Sequence, residues 1–410
     1  MENKKNIWFI NDYAGTPYIG MEYRHYYLGK ELVKLGHKVT VISSAYSHLF
    51  KHLPKKSKEN IDGIEYHWLR TLHYTNAHDK RRAIKWFLFS FKLIRYLFAK
   101  NSPDAIIVST AAPFAILPSY LLAKRHKAKL IFEVKDIWPL SLIELGGFSK
   151  KNPFIKLMLW FEKFALTKSD VIVSNLQNYG EHIKRDVGIN RDFEWISNGV
   201  DMDELNQIEP LSEDIIKQIP KDKFIIGYAG TVGVANALDS FLESAVLLQD
   251  NENIAFVIVG DGQEKKKLME QVDVYDNIFF IDPIPKKQVQ SMLKFFDVCY
   301  ISARKEKLYR YGVSPNKLFD YMYSKKPILY AIESGKNIVD VADCGISVEA
   351  QNSQSITNGI LKLYNMSQDK REKLGQNGRE YVLKHFTYQK LAEQYESLIY
   401  EKGERNELDA

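Results

Sequence analysis

The sequence predicts an α/β protein made of two doubly wound parallel-sheet domains. Three observations carry that expectation. Strand-length apolar runs alternate with helix-length amphipathic segments through both halves. The chain has 410 residues, more than one core usually organises. A polar stretch at 204–222, with Pro210 and Pro220, interrupts the alternation near its middle and reads as a linker. In open α/β sheets ligands sit beyond the C-terminal ends of the strands, so a ligand is expected between the two domains.

Composition narrows the class. Apolar residues make up 45% and charged residues 26%, as in an ordinary globular enzyme. Two cysteines, Cys299 and Cys344, provide neither a disulfide framework nor zinc-ligand spacing, which suits a reducing cytoplasm. The start, MENKKNIWFINDYAG, reaches Asn11 and Asp12 too soon for a signal peptide and reads as a first strand. No apolar run has the length of a membrane span. The formal charge of +6 raises nucleic acid as a partner, but no nucleic-acid motif accompanies it, and none is expected.

In the first half, a strand at 7–10 leads through a loop with Gly15 and Gly20 into a helix over 22–35, closed by Gly36, and then a strand at 39–43. The G-x-G-x-x-G fingerprint is absent, which disfavours a dinucleotide site. Gly20 admits either close approach of a phosphate to the backbone or a purely geometric turn. Residues 44–80 are irregular apart from a short strand at 64–69. Next comes KRRAIKWFLFSFKLIRYLFAK, residues 80–100, with seven basic residues and no acidic one. Ile84, Phe87, Leu88, Phe91, Ile94 and Phe98 recur at helical spacing. A basic, aromatic amphipathic helix reads as membrane-surface binding, through Lys85, Trp86, Phe87, Phe91, Lys92 and Arg95. The alternative is a helix packed on the sheet with solvated lysines. KKNPFIKLMLWFEKFALTK, residues 150–168, has the same character. Strands at 105–109 and 130–134 flank a helix at 115–125. Lys135 and Asp136 stand at the second strand's end, where either a site or a loop salt bridge fits. Strands at 171–174 and 194–196 complete this half. Asp201-Met202-Asp203 has the D-x-D spacing of a metal-binding pair, but acids at a helix start cap it and suit its dipole, and capping is the favoured reading.

The second half restarts with a strand at 224–228 and the loop AGTVGVANALD, whose Gly230 and Gly233 shape a phosphate-sized turn before a helix from Leu238. Strands at 255–259, 278–280, 298–301, 328–330 and 346–348 follow, and an amphipathic helix at 377–400 ends the half. Residues 309–330, YRYGVSPNKLFDYMYSKKPILY, read as loop, helix and strand. Ser314 is the expected N-cap and Pro315 the first helical residue. Lys317 and Asp320 then share one face of the first turns. A helix N-terminus with a lysine seats phosphate, and a carboxylate one turn on accepts sugar hydroxyls. An ordinary capped helix with a surface Lys–Asp pair fits the same residues.

Taken together, GTPYIGMEYRHYYLGKELVKLGHKVTVIS, ISNGVD, YAGTVG, IVGDGQEKKKL and SPNKLFDYMYSKKPIL, in this order, resemble retaining glycosyltransferase family 4, which has the GT-B fold. KDIWP and SPNKLFDYM are most similar to the WbuB-like branch of capsule-type N-acetylfucosaminyl transferases. The resemblance implies an acceptor-side domain, 1–203, and a donor-side domain, 204–410, whose last helix packs back toward the first. It implies transfer of a sugar from a nucleotide-diphospho sugar, UDP-linked by preference, to a lipid-linked saccharide at the cytoplasmic face of the inner membrane, without a metal. Of the family's paired glutamates the second falls on Asp320, and the first falls on Gly312, so one carboxylate is missing. Lys135 stands where the family usually has a histidine. VANALD lacks the family's diphosphate-binding Arg and Lys, for which Lys317, Arg304 and Arg310 are the expected substitutes, with Ser314, Gly20, Gly230 and Gly233 around the donor. Asp136 and Lys135 are the expected catalytic-side residues. A nucleotide-sugar 2-epimerase and a non-catalytic membrane-surface scaffold of the same fold are the rival readings.

Overall fold

The computed structural model describes residues 4–20, 22–50, 52–75 and 79–401. The chain divides into two compact units at Ser197/Asn198 and returns to the first at Tyr388. The first boundary thus precedes the expected 203/204. Residues after it are tied to the second unit, where Glu209 N–H donates to the Lys287 carbonyl and Ser291 Oγ to that of Glu209.

The first unit carries eight strands: β1 (Asn6–Ile10), β2 (Lys38–Ser44), β3 (Lys58–Ile61), β4 (Ile64–Leu69), β5 (Ala105–Ser109), β6 (Lys129–Val134), β7 (Val171–Ser174) and β8 (Glu194–Trp195). Their order is β3-β4-β2-β1-β5-β6-β7-β8. Every pairing is parallel except β3 with β4, a short hairpin in a region the sequence leaves irregular. β1 is central, with Ile7 opposite Val39 on one side and Ala105 on the other. Its residues Ile7, Phe9 and Ile10 are fully buried, as expected of a strand covered on both faces. The helix Arg24–Lys34 packs with the final helix, Tyr388–Tyr400, through Tyr27 and Tyr388, whose rings lie 4.8 Å apart. The crossovers after β4, β5 and β6 carry the helices Arg81–Leu93, Ile116–His126 and Pro153–Lys168. Right-handed connections place these three on the opposite face of the sheet.

The second unit has six strands, all parallel: β9 (Phe224–Ala229), β10 (Ile254–Val259), β11 (Ile278–Ile281), β12 (Val298–Ser302), β13 (Ile328–Ala331) and β14 (Gly345–Ser347), in the order β11-β10-β9-β12-β13-β14. Its core joins Tyr228, Phe256 and Tyr300 from the sheet to Phe241 and Ile360 from the helices. Each sheet has one topological switch point, between β1 and β5 and between β9 and β12. Neighbouring strands there lead their chains away in opposite directions, leaving a crevice at the strand ends.

One expected helix is two. The 377–400 segment is covered by Gln368–His385 and Tyr388–Tyr400, broken at Phe386 and Thr387. The Phe386 carbonyl accepts from Val200 N–H, and the Phe386 ring packs on Phe319 at 5.2 Å. Those tertiary contacts interrupt a run that local pattern alone continues.

Candidate active site

The strongest cluster lies at the switch point of the second sheet. β9 ends at Ala229 and runs into the Gly230–Gly233 loop; β12 ends at Ser302 and leads to Arg304. Lys317 joins them from the helix Asn316–Tyr323. Its Nζ donates to Tyr228 Oη at 2.5 Å and to Asn236 Oδ1 at 2.9 Å. Tyr228 in turn donates to the Thr231 carbonyl at 2.6 Å. Asn236 is held by its own donation to that carbonyl and by Ser302 Oγ on its backbone oxygen. The ammonium also sits 4.2 Å from the Tyr228 ring centre. Gly230 has φ +155, which L side chains rarely adopt, and a Cβ there would press on the flexible end of Lys317, 2.9 Å from Nζ. Gly233 has no such constraint, since its nearest neighbour is an ordinary contact with Thr231 at 3.6 Å.

Among the described residues no carboxylate faces Lys317. Burial therefore acts unopposed and lowers its pKa to about 7. A cation held by neutral acceptors, at a helix N-terminus and beside a glycine loop, has the chemistry that attracts an anion. Arg304 is exposed beside it, its backbone N–H bound to the Ala235 carbonyl at 3.1 Å.

Other expected donor residues take different places. Asp320 points away from Lys317 and is gripped by Lys286 Nζ, at 2.7 and 2.6 Å to its two oxygens. Ser314 does not cap the helix. Pro315 occupies the cap position without a side-chain bond, while Ser314 Oγ accepts from Asn198 N–H at 3.0 Å. Arg310 folds back on the Lys307 carbonyl and over the Tyr311 ring. Gly312 has φ 102 and ψ 165, a conformation essentially confined to glycine. The carboxylate expected there is excluded by the backbone.

In the first unit, the strand ends hold a buried relay that sequence reading missed. Glu133 of β6 is fully buried and accepts from Arg24 Nε at 2.8 Å, Tyr395 Oη at 2.6 Å and His25 Nε2 at 2.6 Å. Burial alone would raise its pKa, but His25 and Arg24 outweigh it and hold the carboxyl well below the usual range. His25 Nδ1 lies 3.0 Å from Asn11 Nδ2, and Asn11 donates to Glu22 at 2.8 Å. Glu22 receives Lys135 Nζ at 3.0 Å. Lys135 is therefore an ion-pair partner at the rim of this relay. The one signal available was an acid inside the apolar run LIFEV. Asp136, next along, is exposed at the strand end, and crowding by protein atoms raises its pKa against the pull of Lys135 and Arg82. Gly20 serves its turn: φ is +87 and a Cβ would meet the Phe50 ring at 2.8 Å. Asp201 caps Met202–Leu205, accepting from Glu204 N–H at 2.8 Å.

The helix Arg81–Leu93 inverts part of the expectation. Lys85 and Trp86 face inward, 0% and 4% exposed. Lys85 Nζ pairs with the buried Asp12 at the end of β1, 2.9 Å away. Trp86 donates to Tyr13 Oη. Phe87 and Phe91 are exposed, as is Arg95, with Lys92 at the edge. The apolar period marks the outer stripe because the inner face, Lys85, Phe89 and Leu93, carries a lysine.

Residues 18–204 match the family described as Glycosyltransferase Family 4, and residues 212–381 that described as Glycosyl transferases group 1. The chain is 26% identical over 264 residues to the probable glycosyltransferase WbjE of Pseudomonas aeruginosa, covering 63% of this chain and 64% of that one. It is 21% identical over 417 residues to the N-acetyl-alpha-D-glucosaminyl L-malate synthase of Bacillus anthracis, covering 98% and 97%. Among solved structures, the sucrose-phosphate synthase of Thermosynechococcus elongatus superposes with a TM-score of 0.75 at 15% identity, over 96% of this chain and 98% of that one. Anabaena HepE in complex with UDP and glucose gives 0.64 at 14%, over 96% and 99%. With two parallel-sheet domains, one matched by each of these glycosyl transferase families, the chain is a glycosyltransferase of GT-B type.

Proposed function

We propose that the protein is a retaining transferase that moves a sugar from a nucleotide-diphospho donor, UDP-linked by preference, to a lipid-linked saccharide. The acceptor would stand at the cytoplasmic face of the inner membrane, in bacterial capsule or O-antigen synthesis. One observation carries the reading: among the described residues no protein anion faces Lys317, which is seated among a glycine loop, a helix N-terminus and Arg304. A donor diphosphate supplies the missing charge. A relative supports the same reading: the putative colanic acid biosynthesis glycosyl transferase WcaI of Escherichia coli is 26% identical over 211 residues. An N-acetylated amino sugar such as N-acetylfucosamine fits the branch that the sequence most resembles.

In this reading no metal takes part. The sugar's C1–O bond to the diphosphate breaks, and negative charge grows on the leaving oxygen against Lys317, Arg304 and the loop N–H groups. The acceptor oxygen bonds to C1 on the same face, and its proton passes to the leaving phosphate. Asp320 orients the nucleotide ribose, and Asp136 contacts the acceptor or the donor sugar. The test is nucleotide release from a panel of UDP- and GDP-sugars, with and without a solubilised polyprenyl-diphosphate sugar. Release from one donor, dependent on acceptor and abolished by Lys317→Ala, supports transfer. Sugar turnover without acceptor indicates epimerisation. Donor binding unaffected by Lys317→Ala favours a scaffold, the reading that the missing carboxylate at Gly312 motivates.

A further inference from the structure

We propose that the first unit seats on an anionic membrane through a face built from three helices. The stretches at 80–100 and 150–168, which share this character in the sequence, are two of its parts, and the helix Ile116–His126 is the third. The inference extends the membrane partner above, but its observations and its test need neither donor nor acceptor.

The three helices on one face of the first sheet are apolar on both sides. Inward, Phe89 and Leu93, then Leu122, then Ile155, Met158 and Ala165, are buried against the sheet. Outward, a second set stays exposed: Ile84 at 53%, Phe91 at 72% and, on the turn Ile94–Phe98, Phe98 at 83%. Leu121 is exposed on Ile116–His126, and Leu157, Leu159 and Trp160 on Pro153–Lys168, Trp160 at 53%. A helix with apolar side chains on its outer side as well as its inner one, interleaved with cations, has the amphipathic character of an interfacial helix.

The three helices form one layer, joined by ring contacts beneath their outer residues. Phe87 stacks on Phe114 at 4.1 Å, and Phe114 reaches Phe161 at 5.0 Å. Tyr120 meets Phe164 at 5.3 Å, and Phe164 stacks with Trp160 at 5.5 Å. The second helix is thus bound to the third, and the first is bound to the third through Phe114.

Charge selects the occupant. The three helices and the 94–98 turn contain one acid, Glu162. It is buried, with its oxygen on His182 Nε2 at 2.7 Å. The accessible charges are all cationic: Lys92, Arg95, Lys124, Arg125, Lys156 and Lys163. A protein interface of this size would bring both signs to its rim. On these helices, cations around exposed aromatics match acidic headgroups over acyl chains. Among the described residues no helix is long and apolar enough to cross a membrane, and the proposed contact is one of seating at the interface.

The experiment is co-sedimentation of the full chain with vesicles of phosphatidylglycerol and phosphatidylethanolamine, against phosphatidylcholine alone. The wild type is expected to bind the anionic vesicles and to release in high salt. Phe91→Ser with Trp160→Ser should weaken binding by at least about tenfold, since each side chain leaves a partly buried apolar position. Lys92→Glu with Lys163→Glu should abolish the preference for anionic lipid. Circular dichroism and thermal melts verify that the variants fold. In vesicles carrying brominated acyl chains, tryptophan emission should be quenched, and Trp160→Phe should remove most of that quenching while vesicle binding persists. A wild type that stays in the supernatant with every vesicle overturns the proposal. So does equal binding by the Phe91/Trp160 variant, or a concentration-dependent dimer lost in that variant with no lipid binding.

Discussion

Donor binding should take up a proton, and Lys317 should be the reason. Burial lowers its pKa from 10.5 to about 7. That distance corresponds to roughly 5 kcal/mol for holding the charge there, at 1.36 kcal/mol for each tenfold change. Below pH 7 the free protein carries the ammonium already. Above it the amine is mostly neutral, by roughly nine-tenths at pH 8. A diphosphate beside Nζ favours the charged form and returns the pKa toward its ordinary value. Binding at pH 8 should therefore absorb roughly nine-tenths of a proton, against about half at pH 7. Affinity should fall by up to about tenfold for each pH step above 7.

The assay is titration calorimetry with a nucleotide sugar in buffers of different ionisation enthalpy. The sugar-bound diphosphate has no titrating oxygen in this range, whereas a terminal phosphate titrates near pH 6. The observed heat should vary linearly with buffer ionisation enthalpy, with a slope near one proton at pH 8. Lys317→Met should bind more weakly, with a slope near zero. Lys317→Arg, charged at every pH used, should bind with a flat pH profile. Wild-type binding with no buffer dependence at pH 8, or an unchanged slope in Lys317→Met, refutes the reasoning.

The remaining predictions concern the other polar groups. Glu133→Gln should destabilise the first unit by about 3 kcal/mol, as breaking a buried ion pair does. Because the Glu133 carboxyl is held below its unfolded value, its stabilisation is present above that value and lost as pH falls through the folded one; thermal melts from pH 7 down to 3 should be flatter in the variant. Gly20→Ala should cost about 1–2 kcal/mol of stability through its φ of +87 and the Phe50 contact, yet leave nucleotide-sugar affinity of the folded protein unchanged. Asp320→Asn should weaken nucleotide-sugar binding several-fold more than Lys286→Met, if the carboxylate turns from its lysine to a ribose; equal losses would make the pair structural. Asp136→Asn should lower turnover while nucleotide-sugar affinity holds, measured by release kinetics and calorimetry on the same preparation.

Strand and helix alternation made the fold class readable, because a buried parallel strand such as IAFVIV announces itself by composition. The sites were less legible, for reasons visible residue by residue. Lys317 stood out at a helix start, but its partners Tyr228 and Asn236 lie 89 and 81 residues away and carry no periodic signal. The Glu133 relay gathers Arg24, His25 and Tyr395 from separations of 108 to 262 residues, and only the fold brings them together. At Lys85 the amphipathic pattern was real and misassigned: with two apolar stripes on one helix, periodicity does not say which one meets the sheet. The buried Asp12 decides it, by pairing with Lys85 from across the unit.

The absent carboxylate at Gly312 bears on the chemistry as well as on the resemblance. With φ 102 and ψ 165, that position admits no side chain, so a Gly312→Glu exchange would not restore the family's pair without remodelling the loop. The helix that follows has one acid, Asp320, and Lys286 holds both of its oxygens. Lys317 is consequently left with neutral partners, and its charge is uncompensated until an anion arrives. A nearby carboxylate would keep the lysine protonated in the empty site and erase the proton uptake described above. The backbone at Gly312 and the Lys286–Asp320 pair thus act in one direction: both leave Lys317 free to couple its protonation to the diphosphate.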